Sequence, residues 1–134
     1  MKKLIALAIV VASCCEILLA EPAAPAESAV KNVTVAEAEA LLKERKDVVV
    51  LDIRTDVEFQ EGHITGAKNI DFLGSNFAQK IGALEKTKTY LVHCGSGRRS
   101  TKSLDVFKQQ KFTSILHLNE GFSAWQSAGK PVEK

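Results

Sequence analysis

Apolar residues form three unbroken runs along this chain. The runs are VVVLDIR at residues 48–54, TYLVHC at 89–94 and SILHL at 114–118. Runs without polar alternation are typical of strands buried on both faces, as in parallel sheets. The pattern therefore predicts three buried, parallel strands.

Helical patterns lie between these runs. Two capping boxes, TVAE at residues 34–37 and TDVE at 55–58, each begin a predicted helix, and Gly62 ends the second one. Apolar spacing predicts further helices around residues 77–84, 104–107 and 122–128. Strands that alternate with helices indicate an α/β domain with a mainly parallel sheet.

The carboxyl ends of parallel strands meet at one edge of the sheet, where sites of α/β proteins lie. Asp52 and Arg54 end one predicted strand, and Cys94 ends another. We therefore expect these three residues to share an edge.

Composition narrows the classes of function. The 134 residues carry 18 Lys+Arg against 16 Asp+Glu, a formal net charge of +2, with the signs mixed along the chain. Nothing resembles the basic stripe of a nucleic-acid-binding protein or a polybasic membrane helix. Residues 33–134 are enough for one folded domain.

The first residues predict export. A short basic start, MKK, precedes an apolar run over residues 4–15 that fits a signal peptide of residues 1–20. Residues 21–32, rich in Ala, Pro and Glu, are expected to be a flexible tether. We expect a periplasmic protein, with a membrane-anchored lipoprotein acylated at Cys14 as the alternative. A cleavage site at residues 24–26 also stays open.

Removal of the leader would leave Cys94 as the only cysteine. A single thiol cannot form an internal disulfide, so it is either an intermolecular partner or a reactive group. Its surroundings, HCGSGRRS at residues 93–100, favour reactivity. Gly95 and Gly97 allow backbone N–H groups to turn toward one centre, and a helix is expected to begin at Ser100 or Thr101.

Two cations complete this loop. Arg98 and Arg99 add positive charge to a cradle for an anion, and such surroundings lower a thiol pKa. We therefore expect Cys94 to be largely thiolate at neutral pH. The alternative is that this segment is an ordinary strand–turn–helix connection in which Cys94 is a buried cysteine without a reactive role.

Three motifs identify a resemblance. VVVLDIRTDVEFQEGHITGAKNI at residues 48–70, VHCGSGRRS at 92–100 and EGFSAWQSAGKPV at 120–132 resemble, in order, the motifs of single-domain rhodaneses. One departure is Glu120, where the family usually has a glycine. The resemblance implies a five-stranded, mostly parallel sheet with helices on both faces.

The resemblance also implies a function. Cys94 would take sulfane sulfur from a small anionic donor such as thiosulfate and pass it, as a persulfide, to a thiophilic acceptor such as cyanide or a thiol. This nucleophilic chemistry needs no metal or organic cofactor. A protein could also be the acceptor, and the oligomeric state stays open.

Two other functions compete. A carrier or sensor module would hold sulfur for a protein partner without turnover of small molecules. A phosphatase or arsenate-reductase-like enzyme would use a similar loop, but Cys94 and Arg99 are spaced C-x4-R, one residue shorter than the phosphatase C-x5-R.

The remaining residues receive supporting roles. Arg99 is expected to brace the loop, and Arg98 is expected to contact the anionic donor. Ser96 and Ser100 are candidate hydrogen-bond donors to the sulfur, with a helix N-cap as the alternative for Ser100.

Asp52 and Arg54 are expected to support the loop by hydrogen bonding rather than to transfer protons. His93 precedes Cys94 in a strand, so its side chain should point to the opposite face. The histidines and Cys94 show no metal-ligand spacing, and no metal is expected.

Overall fold

The computed structural model describes residues 28–134, so the predicted leader and residues 21–27 of the predicted tether lie outside the described part. The strands are β1 (Ala29–Val33), β2 (Val49–Asp52), β3 (His63–Ile64), β4 (Lys68–Asn69), β5 (Thr89–His93), β6 (Ser114–Leu118) and β7 (Val132–Glu133). The helices are α1 (Val35–Glu44), α2 (Asp56–Glu61), α3 (Phe77–Gly82), α4 (Arg98–Gln109) and α5 (Gly121–Ser127).

Five strands form one sheet in the order β1-β6-β5-β2-β4, and all of its pairings are parallel. The three predicted strands are present as β2, β5 and β6, and they are neighbours in the sheet. All five residues of the central strand β5 are buried, as the apolar run predicted. A short antiparallel pair, β3 with β7, lies apart from this sheet.

Both predicted capping boxes are present. The Thr34 hydroxyl accepts the Glu37 N–H at 3.2 Å, and the Glu37 carboxylate accepts the Thr34 N–H at 2.8 Å. Thr55 and Glu58 repeat this pattern at 3.3 and 3.0 Å. The side chains satisfy N–H groups that have no partner within a helix, which is why α1 and α2 begin where they do.

The sheet separates two apolar clusters. On one face, α1 and α5 contribute Ala38, Phe122 and Trp125. On the other, α3 and α4 contribute Ile81 and Phe107. Helices therefore cover both faces, and the predicted α/β fold is confirmed. Phe107, Phe122 and Trp125 are core residues.

The predicted boundary between tether and domain is wrong. Residues 29–32, assigned to the tether of residues 21–32, belong to β1, which pairs with β6 from Ala29 opposite Ser114 to Val33 opposite Leu118. The sequence AVKNV has a weak apolar signal because only Val33 of the strand is fully buried. The strand forms because β6 would otherwise present an unpaired edge.

Within residues 28–134, no helix has the length and apolar character that crossing a bilayer requires.

Candidate active site

The candidate site lies at the carboxyl edge of the sheet. β2 and β5 run side by side, with Asp52 opposite His93, so the residues that follow these strands meet at the same edge. The structure thus brings Asp52 and Arg54 close to the loop that begins at Cys94. This is the juxtaposition that the strand pattern predicted.

The loop surrounds the Cys94 sulfur with donors. The Gly97 N–H donates to Sγ at 3.1 Å, and the Ser100 hydroxyl lies 3.4 Å from it. Cys94 is only 1% exposed, so the sulfur lies at the base of the loop. Gly97 has φ of 93°, and the 12-residue helix α4 begins directly after it. The helix N-terminus adds partial positive charge beside the sulfur.

The other side of the loop is held by α5. The Cys94 carbonyl accepts the Phe122 N–H at 2.8 Å, and the Gly95 carbonyl accepts the Ser123 N–H at 3.0 Å. These carbonyls are turned away from the sulfur, which leaves the loop N–H groups free to face it. Gly121 is required at this contact, because a Cβ there would overlap the Gly95 carbonyl.

Two opposing effects set the acidity of the thiol. Burial alone would raise the pKa of Cys94, since a buried charge is poorly solvated. Hydrogen bonds to the Ser100 hydroxyl and to the N–H groups of Ser100, Gly97 and Ser96 act against burial, and the pKa of Cys94 lies below its ordinary value. The thiolate fraction at neutral pH is therefore larger than that of a free cysteine.

The two loop arginines have different partners. Arg99 forms a two-pronged ion pair with Glu58 of α2, at 2.8 and 2.9 Å, and so ties the loop to the neighbouring helix. Arg98 is exposed and has no ion-pair partner among residues 28–134. It lines a shallow groove of about 430 Å³ with Ser96, Lys102 and Asn119.

Asp52 and Arg54 form a buried pair. The Arg54 guanidinium donates to the Asp52 carboxylate at 2.7 and 3.0 Å and to the Gly62 carbonyl at 2.7 Å. It also lies 3.9 Å above the centre of the Phe122 ring. The pair thereby joins β2, the end of α2 and the start of α5. Neither residue has a hydrogen bond to the Cys94 sulfur, so the geometry is that of a brace.

Comparison with known proteins settles the family. The family model of the rhodanese-like domain matches residues 34–128. The chain belongs to the rhodanese-like domain family. The resemblance inferred from the three motifs is thereby confirmed, and the family implies a sulfur donor and a sulfur acceptor as substrates.

Relatives of this rhodanese-like chain include characterised and uncharacterised proteins. It is 34% identical over 87 residues to the thiosulfate sulfurtransferase GlpE of Shewanella oneidensis, which is 65% of this chain and 84% of that protein. It is 33% identical over 110 residues to the uncharacterized Synechocystis protein slr1261, which is 81% of this chain but only 60% of that protein.

A solved structure shows the same fold. The crystal structure of a rhodanese-related protein from Thermoplasma volcanium aligns with a TM-score of 0.68 at 28% identity, and covers 77% of this chain and 97% of that one. The five-stranded parallel sheet with helices on both faces is therefore the fold of the rhodanese-like family.

The expected start of the helix after the rhodanese-like loop was wrong, and so was the alternative that Ser100 is its N-cap. The helix after the loop begins at Arg98, not at Ser100 or Thr101, and its N-cap is Gly97. Ser100 is thus inside the first turn and cannot be the N-cap. Its hydroxyl instead lies between the Gly97 carbonyl, Cys94 and His117. The helix begins early because Arg98 and Arg99 adopt helical backbone directly after the left-handed Gly97.

The histidines fall into different surroundings. His93 stacks on Phe122 on the sheet face opposite the Cys94 side chain, as strand alternation predicted. Its Nδ1 contacts the Cys94 carbonyl at 3.0 Å, while its Nε2 has no hydrogen-bond partner within residues 28–134. Burial lowers the pKa of His93, so this ring is neutral and does not pair with the thiol.

Sequence reasoning missed two residues that support the loop. Glu58 was assigned a structural capping role, but its carboxylate also holds Arg99. His117, Nε2 of which lies 2.8 Å from the Ser100 hydroxyl, received no role. A signal for His117 existed, because strand alternation places it on the same sheet face as Ile115, which belongs to the Cys94 cluster.

Proposed function

We propose that this protein is a sulfurtransferase that moves sulfane sulfur from thiosulfate, or a similar donor, to a thiophilic acceptor through a persulfide on Cys94. The observation that carries the proposal is the Gly97 N–H that donates to the Cys94 sulfur at 3.1 Å, inside a loop whose Cys94 and Gly95 carbonyls are turned outward. Such a ring stabilises negative charge on one sulfur atom or on a sulfur attached to it.

In the first half of the reaction, the Cys94 thiolate attacks the outer sulfur of thiosulfate. A bond forms between the two sulfur atoms, and the bond between the sulfane sulfur and the sulfite group breaks. Its electron pair leaves with sulfite, and no proton has to move. The persulfide is left with a terminal negative sulfur, which the loop N–H groups and the α4 N-terminus stabilise.

In the second half, the acceptor attacks the terminal sulfur. The bond between the two sulfur atoms breaks, and its electron pair returns to Cys94 as a thiolate. The Gly97 N–H and the Ser100 hydroxyl lie within 3.4 Å of that sulfur. The donors that lower the thiol pKa therefore also make Cys94 a good leaving group.

The anionic donor requires a cation, and Arg98 supplies it. Arg99 is occupied by Glu58, whereas the exposed Arg98 and Lys102 line the groove beside Ser96. A small dianion such as thiosulfate would be attracted to this groove and to the helix N-terminus next to it.

The first experiment is intact mass spectrometry of a chain that begins at Glu21, with and without thiosulfate, beside Cys94→Ser. We expect the wild type alone to gain the mass of one sulfur atom. The absence of any gain with thiosulfate, mercaptopyruvate and a polysulfide would contradict the proposal. Cys94→Ser is the matched control because it changes only sulfur to oxygen.

Addition of cyanide then separates an enzyme from a carrier. A sulfurtransferase loses the added mass and releases thiocyanate over many cycles. A sulfur carrier keeps its persulfide or releases it only to a protein. A stable persulfide without turnover would therefore replace the proposed enzyme by the carrier.

We also propose that the protein works outside the cytoplasm, in the periplasm, after removal of residues 1–20 or, alternatively, as a lipoprotein anchored at Cys14. The support is the basic start and the apolar run over residues 4–15. An exported sulfurtransferase with one cysteine avoids internal disulfide formation in an oxidising compartment.

A further inference from the structure

A chain of hydrogen bonds leads away from the Cys94 sulfur across one face of the sheet. The Ser100 hydroxyl lies 3.4 Å from the sulfur and 2.8 Å from Nε2 of His117. Nδ1 of His117 lies 2.9 Å from the Asn32 side-chain oxygen. Four side chains from β1, β6, α4 and the loop after β5 thus form one continuous path.

The inner part of this path is shielded from solvent. Ser100 is 0% exposed and His117 only 2% exposed, whereas Asn32 at the outer end is exposed. A buried polar group is costly without a partner, and this path gives both ring nitrogens of His117 a hydrogen-bond partner. The path therefore joins the sulfur to the protein surface.

Asn32 determines which ring nitrogen of His117 carries a proton. An amide oxygen can only accept, so Nδ1 must donate to it. In the neutral ring Nε2 is then an acceptor. It lies 2.8 Å from the Ser100 hydroxyl, nearer than the Gly97 carbonyl at 3.1 Å, so the hydroxyl donates its proton to Nε2. The lone pairs of Ser100 are left facing the sulfur, where they can accept the proton of a thiol.

We propose that His117 is a positioning residue that accepts the Cys94 proton through the Ser100 hydroxyl and thereby holds this hydroxyl as a donor to the thiolate. The S–H bond breaks with its electron pair on sulfur, and the proton moves to the Ser100 oxygen. At the same time the original Ser100 proton moves to Nε2 of His117. The products are a thiolate and an imidazolium, with no change in the total number of protons.

The surroundings of His117 favour this pairing. Its ring contacts Asn32 of β1 and Ser100 of α4, and no carboxylate lies within ion-pair distance of it among residues 28–134. Burial lowers the pKa of His117, so a lone imidazolium would be unfavourable there. The thiolate of Cys94 is the negative charge that compensates it, since opposite charges a few ångströms apart stabilise each other.

The other charged groups on the adjoining elements point elsewhere. On α4, Arg98 and Lys102 line the surface groove and Arg99 pairs with Glu58. On β1, the exposed Lys31 alternates with Asn32 and lies on the opposite face. On β5, His93 stacks on Phe122 across the sheet, and the Tyr90 hydroxyl donates to the Glu85 carbonyl at 2.7 Å. Cys94 is thus the ionisable group that this path of hydrogen bonds joins to His117.

The experiment measures the ultraviolet absorbance of the thiolate against pH, as the difference between each protein and its Cys94→Ser counterpart. Cys94 is the only cysteine of a chain that begins at Glu21, so the signal belongs to one sulfur. We expect His117→Gln to move the appearance of thiolate to higher pH by about one unit, because an opposite charge within ~4–6 Å shifts a pKa by one to three units.

Two comparisons test whether the effect passes through Ser100. Ser100→Ala should move the titration in the same direction, and the double variant should move it no further than Ser100→Ala alone. His63→Gln is the matched control, because the His63 ring contacts Phe59 rather than this path. Folding is checked by circular dichroism for every variant.

An unchanged thiolate titration in folded His117→Gln would overturn the proposal, because a histidine that merely fills space would leave the titration in place. If His117→Gln fails to fold, Asn32→Asp decides. A carboxylate beside Nδ1 favours the imidazolium, so thiolate should appear at lower pH in this variant. An unchanged titration in Asn32→Asp would then overturn the proposal.

This inference deepens the proposed function but can fail independently of it. Thiolate absorbance requires neither a sulfur donor nor an acceptor. A shifted titration without any persulfide would support the role of His117 and contradict sulfur transfer. A persulfide with an unshifted titration would support sulfur transfer and contradict the role of His117.

Discussion

Gly97 positions a hydrogen-bond donor beside the Cys94 sulfur. Its φ of 93° turns the N–H toward Cys94, and a Cβ at this position would overlap the Asn119 carbonyl oxygen. Any other residue would have to overcome both the strained backbone and this overlap. Glu120 illustrates the opposite case. It replaces a glycine of the family motif, yet its φ is −77°, so no glycine is required there.

Arg98 and Arg99 are neighbours with separate tasks. The sequence shows two cations in one loop, but the structure pairs Arg99 with Glu58 and leaves Arg98 exposed. A cation already held by a carboxylate contributes little to binding a second anion. We therefore expect Arg98 to be the arginine that binds the anionic sulfur donor.

We expect Arg98→Ala to raise the KM for thiosulfate by about five- to a hundredfold, which corresponds to the loss of a charged hydrogen bond worth ~1–3 kcal/mol. Steady-state kinetics with cyanide as the acceptor measures this. Lys108→Ala, which removes an exposed cation from the last turn of the same helix, is the control and should leave KM unchanged. An equal KM in both variants would exclude Arg98 from donor binding.

At the scale of elements, α2 holds the loop through a residue that also caps the helix. The Glu58 carboxylate accepts the Thr55 N–H at 3.0 Å and both prongs of the Arg99 guanidinium. The Arg99 hydrogen bonds outweigh partial burial and, together with Thr55, hold the pKa of Glu58 at about 2. Stability of the loop is therefore linked to the charge of one carboxylate.

The protonation of Glu58 should change the free energy of unfolding in a definite direction, which can be tested by varying the pH. A carboxyl group with a lowered pKa contributes its stability above its unfolded pKa, about 4.5, and loses it as the pH falls toward 2. We expect the free energy of unfolding of the wild type, relative to Glu58→Gln, to decrease by about 1 kcal/mol over this interval, because solvent screens this partly exposed pair. Urea unfolding at several pH values measures the difference.

Glu37→Gln is the matched control for this experiment. Glu37 occupies the same capping position in α1, and hydrogen bonding to Thr34 lowers its pKa, but it has no arginine partner. The difference in the free energy of unfolding between the wild type and Glu37→Gln is therefore expected to depend less on pH. An equal dependence in both would mean that the Arg99 ion pair adds nothing to the cap.

At the scale of the whole molecule, the sheet brings distant parts of the chain to one site. Asn32 and His117 are 85 residues apart in sequence, yet β1 and β6 are neighbours and place them in hydrogen-bond contact. β1 thus does more than cover an edge. It supplies the outer end of the path that leads to the Cys94 sulfur.

We expect a chain that begins at Thr34 to be less stable to urea than one that begins at Ser28, by about 3 kcal/mol or more. The shorter chain loses the hydrogen bonds of β1 and the buried side chain of Val33, which is 1% exposed and worth ~1.5–3 kcal/mol. A chain that begins at Glu21 should match the one that begins at Ser28. Equal stability of all three would exclude β1 from the folded domain.

Much of the fold could be predicted because strong local signals marked it. The apolar runs predicted β2, β5 and β6, and the capping boxes predicted the starts of α1 and α2. β1 was missed because an edge strand with one fully buried residue resembles a polar linker. The start of α4 was placed too late because the left-handed Gly97, rather than a serine, caps it.

The sequence by itself determined strands β2, β5 and β6, the starts of α1 and α2, the shared edge of Asp52, Arg54 and Cys94, and the rhodanese-like loop, because backbone preferences and short motifs act over a few residues. Tertiary structure decided which arginine stays exposed, which carboxylate forms an ion pair with the other arginine, and which histidine reaches the Cys94 sulfur through Ser100. These partners lie 17 to 41 residues apart along the chain. Only strand order and helix packing bring such groups within hydrogen-bond distance, and no local pattern encodes that distance.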